Sequence, residues 1–543
     1  MKRAYSNWSK EELLRELNKS EKRKKYGVVW EEKSENVAEL CKVKLPVLEE
    51  VRQNEIRTDT KAPMNILIEG DNYHALSVLN YTHKGAIDII YIDPPYNTGN
   101  GDSFLYNDKI VDKEDAYRHS KWLSFMSKRL NLAKNLLKDA GIIFISIDDN
   151  EVAQLKLLCN EVFGEHNFIG TVTWEKRTKA QNTETAREMF QSKTEYILVY
   201  KKGSEKVKFR LEVSGEKNYN LQDEKGLYRL KVVEEMSARG MRGRQTMIFP
   251  IEGIMPRDGF QWKYGKDQVK KFTDRGDIEV QNGKVYFRIR PQDEANQKFI
   301  PFWSHFFDKD TYGTAEKGKS ELTEILGTNT HNFETVKPVD LIKKLLFHIN
   351  RNKSEVVLDF FAGSGTTGHA VLKLNKMDGG NRKFILCTNN EGNICTDVCY
   401  PRVEKVMRGY SYMNKKTAGL GGNLKYFQTD FVDAEPTDKN KRKLVDKSTE
   451  MLCLKEDCFD ESTKGQSFRM FTNGKNKHLG IIYDDDGIEP FKKEVKKQNQ
   501  KFVVYVFSLD ESAREEEFED VKKLVELRPI PAVILNVYKR IFK

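Results

Sequence analysis

Short runs that are apolar along their whole length alternate with helix-like segments, and this alternation constrains the chain more than any other feature. Asn65-Ile66-Leu67-Ile68 leads into an acidic turn, Glu69-Gly70-Asp71, and residues 72–83 read as a helix. Ala86-Ile87-Asp88-Ile89-Ile90-Tyr91-Ile92 ends on Asp93. A long helix over 114–139 follows, then a strand, Gly141–Ile147, and a helix over 150–163. A strand with almost no polar face must be covered on both sides. The pattern therefore predicts a parallel sheet between two layers of helices.

The rhythm is lost between 202 and 330, where short β-like pieces such as Gly283–Arg290 alternate with Gly-, Asp- and Lys-rich turns. It returns with a helix over 338–350, the strand Glu355–Asp359, a glycine loop, another helix and the strand Lys383–Cys387. This predicts one α/β domain interrupted by an insert. The first sixty residues read as a helical region, with a helix over 8–24. Beyond 430 a charged stretch leads to a separate α/β tail domain, with strand-like runs at 479–483, 502–508 and 532–537. At 543 residues, two to three domains are expected. The formal charge of +10 suits a phosphate-bearing partner but does not demand one.

Two constellations carry chemistry. In Asp359-Phe360-Phe361-Ala362-Gly363-Ser364-Gly365-Thr366-Thr367-Gly368, a strand passes through glycines into a helix. Glycine lets the backbone turn tightly and approach a nucleotide-like ligand, and the helix start offers free N–H groups. In Tyr91-Ile92-Asp93-Pro94-Pro95-Tyr96-Asn97, a carboxylate stands at the C-terminal end of a buried strand, the usual place for chemistry in an open α/β sheet. The prolines fix the backbone after it. Such a cradle suits an aromatic amine, whose lone pair is delocalised into its ring. Asp93 and the Pro94 carbonyl would each accept one amine hydrogen, turning the lone pair toward a methyl donor. Tyr96 would stack on the base, worth roughly 1–3 kcal/mol, comparable to the cost of unstacking it.

Together the two motifs resemble those of amino-group DNA methyltransferases. Their order, catalytic motif, then insert, then cofactor loop, is similar to that of the circularly permuted β-class. Ile92–Gly99 and Val357–Thr367 look like the modification subunits of type III restriction systems. The resemblance is firm over roughly 60–205 and 330–415. It implies an α/β, Rossmann-like methyltransferase core, circularly permuted, with a catalytic half at 61–201, a target-recognition domain at 202–330, a cofactor half at 331–430 and a C-terminal α/β domain at 431–543. It implies S-adenosyl-L-methionine as cofactor, held by Asp71, Lys337, Asp359, Phe361, Gly363, Gly365 and Glu391. Lys337 would lie beside the methionine end and Glu391 near the ribose. A surface role remains open for both. Asp93, Pro94, Pro95 and Tyr96 would form the catalytic centre. Arg242, Arg244, Arg288 and Arg290 of the insert are candidates for contact with double-stranded DNA, as phosphate or guanine ligands, and Arg187 and Arg239 also sit in reach of that reading. Type III subunits imply a homodimer, with the tail domain a place for subunit contacts, and a separate restriction subunit carrying ATPase and nuclease. An aspartate at the head of the motif favours adenine-N6 over cytosine-N4.

Other readings remain. The same residues could serve a stand-alone DNA methyltransferase or an RNA amino-methyltransferase. The letters Gly363–Gly368 also match a dinucleotide pattern, which would suit an NAD-dependent oxidoreductase, but Asp-Pro-Pro-Tyr has no part in that chemistry. No Walker-type phosphate loop is present. Asp486 with Glu494-Val495-Lys496 loosely matches a nuclease pattern, but the stretch reads as a helix. Seven cysteines in a chain this long read as free thiols rather than metal ligands. No apolar run is long enough to cross a bilayer, and the start lacks the apolar core of a signal peptide, so no membrane partner and a cytoplasmic location are expected.

Overall fold

In the computed structural model of the chain, the described residues are 9–21, 30–59, 62–98, 117–179, 187, 190–213, 219–239, 243–294, 299–329, 331, 333, 335–349, 352–509 and 512–542. They form two compact units. The first comprises Met1–Phe209 with Trp303–Lys543, and the second Arg210–Phe302. The irregular stretch read over 202–330 thus contains a smaller compact body, and the chain from Trp303 onward belongs to the first unit.

The first unit is built on β1 (Lys44–Glu50), β2 (Met64–Glu69), α1 (Asn72–Thr82), β3 (Ile87–Ile92), α2 (Arg118–Leu136), β4 (Leu137–Ile147), α3 (Val152–Phe163), β5 (Phe168–Glu175) and β6 (Thr194–Lys201). After the second unit come β7 (His305–Phe306), α4 (Val339–His348), β8 (Val356–Asp359), α5 (Thr366–Asp378), β9 (Lys383–Thr388), α6 (Tyr400–Arg408) and β10 (Asn423–Asp433). Among the described residues these strands make one sheet in the order β1-β10-β2-β9-β8-β3-β4-β6-β5-β7, with Ile56–Arg57 also paired to β10. The six strands from β10 to β4 run parallel, with Leu358 opposite Ile90, Asp359 opposite Leu386, and Thr388 opposite Glu69. The largely apolar runs of the sequence are these central strands, and β3 is buried at every position, Asp88 included. Because they are parallel, their C-terminal ends share one edge. That edge gathers Asp71, Asp93, Asp359 and Asn389 from distant parts of the chain.

Helices cover both faces. α1 is buried from Tyr73 to Thr82, which suits a helix apolar on nearly all sides. Two of its buried polar side chains bond to backbone carbonyls: Ser77 Oγ donates to Tyr73 O, and Asn80 Nδ2 to Leu76 O and Leu132 O. The region beyond 430 carries its own five-stranded sheet, with two antiparallel and two parallel pairings. It nevertheless shares a core with the main sheet: Leu452, Tyr505, Ile534 and Tyr538 lie in one apolar cluster with Val47, Leu76 and Leu79. The strand expected over 532–537 is instead part of the helix Ala532–Ile541, and the last strand is Val525–Ile530. A short apolar run fits either state. Here Ile534 and Tyr538, four residues apart, turn one helical face inward. The stretch around Lys496 is helical as expected, Ile488–Gln498.

The second unit has its own core of Val233, Phe249, Ile251, Trp262, Val269, Val285, Phe287 and Ile289. Phe272 stacks on Phe287 with ring centres 4.2 Å apart, fixing the helix Lys266–Arg275 against the strand Lys284–Ile289. No described helix is long and apolar enough to cross a membrane.

Candidate active site

Asp93 follows β3 directly, and the prolines turn the chain off the sheet edge. Asn97, with φ of 59°, completes the turn in the left-handed region that asparagine tolerates. The loop is stapled from its outer side. Trp122 Nε1 donates to Pro95 O at 2.8 Å, Arg118 NH2 to Asn97 O at 2.6 Å, and Asn97 Nδ2 to Glu151 Oε1 at 2.7 Å. His119 Nδ1 lies 2.8 Å from the same Glu151 oxygen. Burial raises the Glu151 pKa despite these partners. Among the described residues no donor reaches Pro94 O, so the carbonyl after Asp93 stays available while those of Pro95 and Asn97 are engaged.

Inside the loop a compact charge cluster forms. Tyr96 OH donates to Asp93 Oδ1 at 2.7 Å and lies 3.2 Å from Glu195 Oε2. Lys337 Nζ is 2.9 Å from both Asp93 oxygens and from Tyr96 OH, and 3.1 Å from Glu195 Oε2. Lys176 Nζ holds the other Glu195 oxygen at 3.1 Å. Burial by itself would lower the Lys337 pKa, but Asp93 and Glu195 more than offset it and hold the group above its ordinary value. Burial likewise would raise Glu195, and the two lysines bring it below the usual range. The Tyr96 hydroxyl is pushed far up, by burial and then by Asp93. Lys337 was expected beside a cofactor's methionine end; its ammonium is on Asp93. Glu195 and Lys176, at the edges of β6 and β5, carry no motif, and only the pairing of Trp174 with Glu195 across these strands brings them here.

The glycine loop after β8 is held differently. Asp359 is 3% exposed. Its Oδ1 accepts from Phe361 N–H at 3.0 Å and its Oδ2 from Thr367 Oγ1 at 2.5 Å. Burial pushes its pKa up to about 7. Its oxygens shape the loop from within rather than face a ligand. Gly363 and Gly365 have φ of 48° and 76°, and a Cβ on Gly365 would meet Cys399 Sγ at 3.1 Å. Arg402, fully buried on α6, donates through NH1 to Ser364 O, Ser364 Oγ and Thr366 Oγ1. Phe361 is half-buried, its ring 5.9 Å from Phe125.

Asp71 caps α1, accepting from Tyr73 N–H at 2.7 Å. Glu391 is exposed in a short turn after β9. Just before it, Asn389 Oδ1 is a buried acceptor with no donor among the described residues. Asp71, Phe361, the glycines and Asn389 thus line neighbouring strand ends. Tight backbone, one aromatic face and an unfilled acceptor fit a nucleoside-bearing ligand.

The insert's arginines divide. Arg290, 3% exposed, is bound by Asp223 and Asp277, each with a contact at 2.7 Å. It is a buried strut of the second unit, so contact with DNA, expected from sequence, does not fit a side chain consumed in this way. Arg288 is held by Glu279 at 3.0 Å and Asp223 at 3.4 Å, and lies over the Tyr228 ring. Arg244 and Arg187 are exposed, and Arg242 lies outside the described residues.

The chain is similar to known proteins over the stretch that holds both loops. Residues 87–397, from β3 past the glycine loop, match the DNA methylase family. The Mod subunit of the type III restriction-modification enzyme StyLTI of Salmonella typhimurium (strain LT2) is 34% identical over 416 residues, covering 67% of this chain and 58% of that one. The EcoPI Mod subunit of Escherichia phage P1 is 32% identical over 403 residues, 64% of this chain and 60% of that one. The type II methyltransferase M.KpnI of Klebsiella pneumoniae is 32% identical over 358 residues, 61% and 82% of the two chains. This chain therefore spans 58% to 60% of the length of the two Mod subunits. The matched segment covers more than half of the sequence and holds both motif loops, and the chain belongs to the DNA methylase family.

Proposed function

We propose that the protein is a site-specific DNA methyltransferase that methylates adenine N6 with S-adenosyl-L-methionine, serving as the modification and recognition subunit of a type III restriction-modification system. The observation that carries this reading is Asp93 at the end of β3, with Pro94 O unengaged by any described residue beside it, next to the glycine loop of the neighbouring parallel strand β8. Asp71, Phe361, Gly363, Gly365, Asn389 and Glu391 would hold the cofactor. Bound there, it supplies an electrophilic methyl group.

The chain's own residues do the rest. An adenine turned out of the duplex stacks on Tyr96 and presents its amine to the loop. Asp93 and Pro94 O each accept one amine hydrogen, which favours a pyramidal nitrogen with its lone pair exposed. Methylation leaves that nitrogen cationic, and Asp93 offsets the charge until a proton departs. The outer staples of Trp122, Arg118 and Glu151 keep both acceptors in register. Among the described insert arginines singled out from sequence, Arg239, Arg244 and Arg288 are assigned to DNA contact. A homodimer, a separate restriction subunit and a cytoplasmic setting belong to the same reading, supported by the likeness to two Mod subunits.

The test is sequencing of genomic DNA with and without the protein, together with labelled cofactor and purified chain in vitro. N6-methyladenine at one short motif is expected. Methylation of cytosine alone, or of RNA alone, would reject the reading.

A further inference from the structure

We infer that Glu195 is a positioning residue for the amine site: it offers the Lys337 ammonium a seat off Asp93 and thereby releases Asp93 to the target base. This rests on the methyltransferase reading above. Lys337 Nζ, 2.9 Å from both Asp93 oxygens, stands where an amine nitrogen must come to use the same carboxylate. The two nitrogens compete for one set of lone pairs. The charge conflict is sharper still. Methyl transfer places positive charge on the amine, and an ammonium fixed on Asp93 cancels the anion that would offset it.

Lys337 cannot simply withdraw, because a buried ammonium without a counter-ion is strongly disfavoured. Glu195 supplies that counter-ion. It is buried, lies on a regular strand, and already bonds Lys337 through Oε2 while Lys176 holds Oε1. Asp93, Glu195, Lys337 and Lys176 together are two anions and two cations. Lys337 gives up Asp93 at little cost when Glu195 remains, and at great cost when it does not.

The experiment measures single-turnover methylation of a duplex carrying the mapped motif, comparing the parent with Glu195→Gln, Glu195→Asp and the double variant Glu195→Gln/Lys337→Met. Glu195→Gln traps the ammonium on Asp93 and is expected to slow the rate about 10²-fold, with the KM for DNA and cofactor little changed. Removing the trapped ammonium in the double variant is expected to recover about tenfold over Glu195→Gln alone. A duplex with 2-aminopurine at the target position reports seating of the base without chemistry; its fluorescence gain should shrink in Glu195→Gln and return in the double variant. Glu195→Asp keeps the charge, serves if the glutamine variant unfolds, and should stay within about tenfold of the parent. Parent-like turnover in Glu195→Gln, or a double variant slower than Glu195→Gln, overturns the inference. A parent chain that methylates nothing rejects the methyltransferase reading instead.

Discussion

Asp93 and Asp359 close neighbouring parallel strands of one sheet, yet they do opposite work. Asp93 keeps a third of its side chain exposed and meets a lysine, a tyrosine and an available carbonyl. Asp359 is buried, and both its oxygens are used by its own loop. The difference lies in the residues next along the chain. Prolines cannot donate to the carboxylate before them, so the first loop must be held from outside and its acid is left to side chains from elsewhere, Lys337 and Tyr96. Phe361 N–H and Thr367 turn back onto the second acid and consume it, and the glycines of its loop add no side chain of their own. Position at a strand end therefore marks where chemistry is feasible; the neighbouring loop decides which acid other side chains can reach.

Substitutions sharpen that contrast. Asp93→Ala is expected to lower single-turnover methylation about 10²–10⁴-fold while leaving DNA retention in gel shift intact; a variant as fast as the parent removes Asp93 from the reaction. Tyr96→Ala loses base stacking of roughly 1–3 kcal/mol, whereas Tyr96→Phe keeps the ring and loses only hydroxyl contacts of about 1 kcal/mol; equal rates for the two would show that the ring is not used. Gly365→Ala forces a side chain into a left-handed position against Cys399, a strain of roughly 1–2 kcal/mol. Calorimetry should show weaker cofactor binding and scanning a lower Tm, with unchanged values placing the ligand elsewhere.

The remaining expected effect concerns Asp359 and is read in stability rather than in turnover. Its pKa rises from 3.8 to about 7 on burial, so the folded state retains a proton that the unfolded chain has already lost. Stability from this group is complete below about 3.8 and fades as pH rises through about 7. Asp359→Asn should flatten that part of the stability profile measured by denaturant titration, and an unchanged slope would assign the proton to another group.

Much of the fold was legible because apolar strands advertise themselves, and both motif loops were legible because their residue types carry their chemistry. The insert blurred where its rim rejoins the first unit. Ala532–Val537 offered an apolar run without a period long enough to separate helix from strand. The site was legible only along the chain. Glu195 and Lys176 sit on ordinary strands, and nothing local distinguishes them from solvated charges. Glu151 looks like any residue at a helix start. Lys337 was noticed for its place ahead of the returning α/β rhythm, but its reach to Asp93 is a matter of tertiary geometry. Arg290 stood among arginines suited to DNA, and only the approach of Asp223 and Asp277 turns it inward.

The sheet order has a consequence for how such a chain is made. Asn65 and Asn423 share a hydrogen bond although they lie 358 positions apart, and β3 has β8 as its neighbour on one side. During synthesis the strand bearing Asp93 emerges long before that partner exists, with one edge unpaired and apolar. Closure waits for the far half, a costly non-local step that favours slow folding and chaperone attendance. A ribosome that stalls inside the insert would release a fragment with an open edge and no glycine loop, prone to aggregate rather than to act.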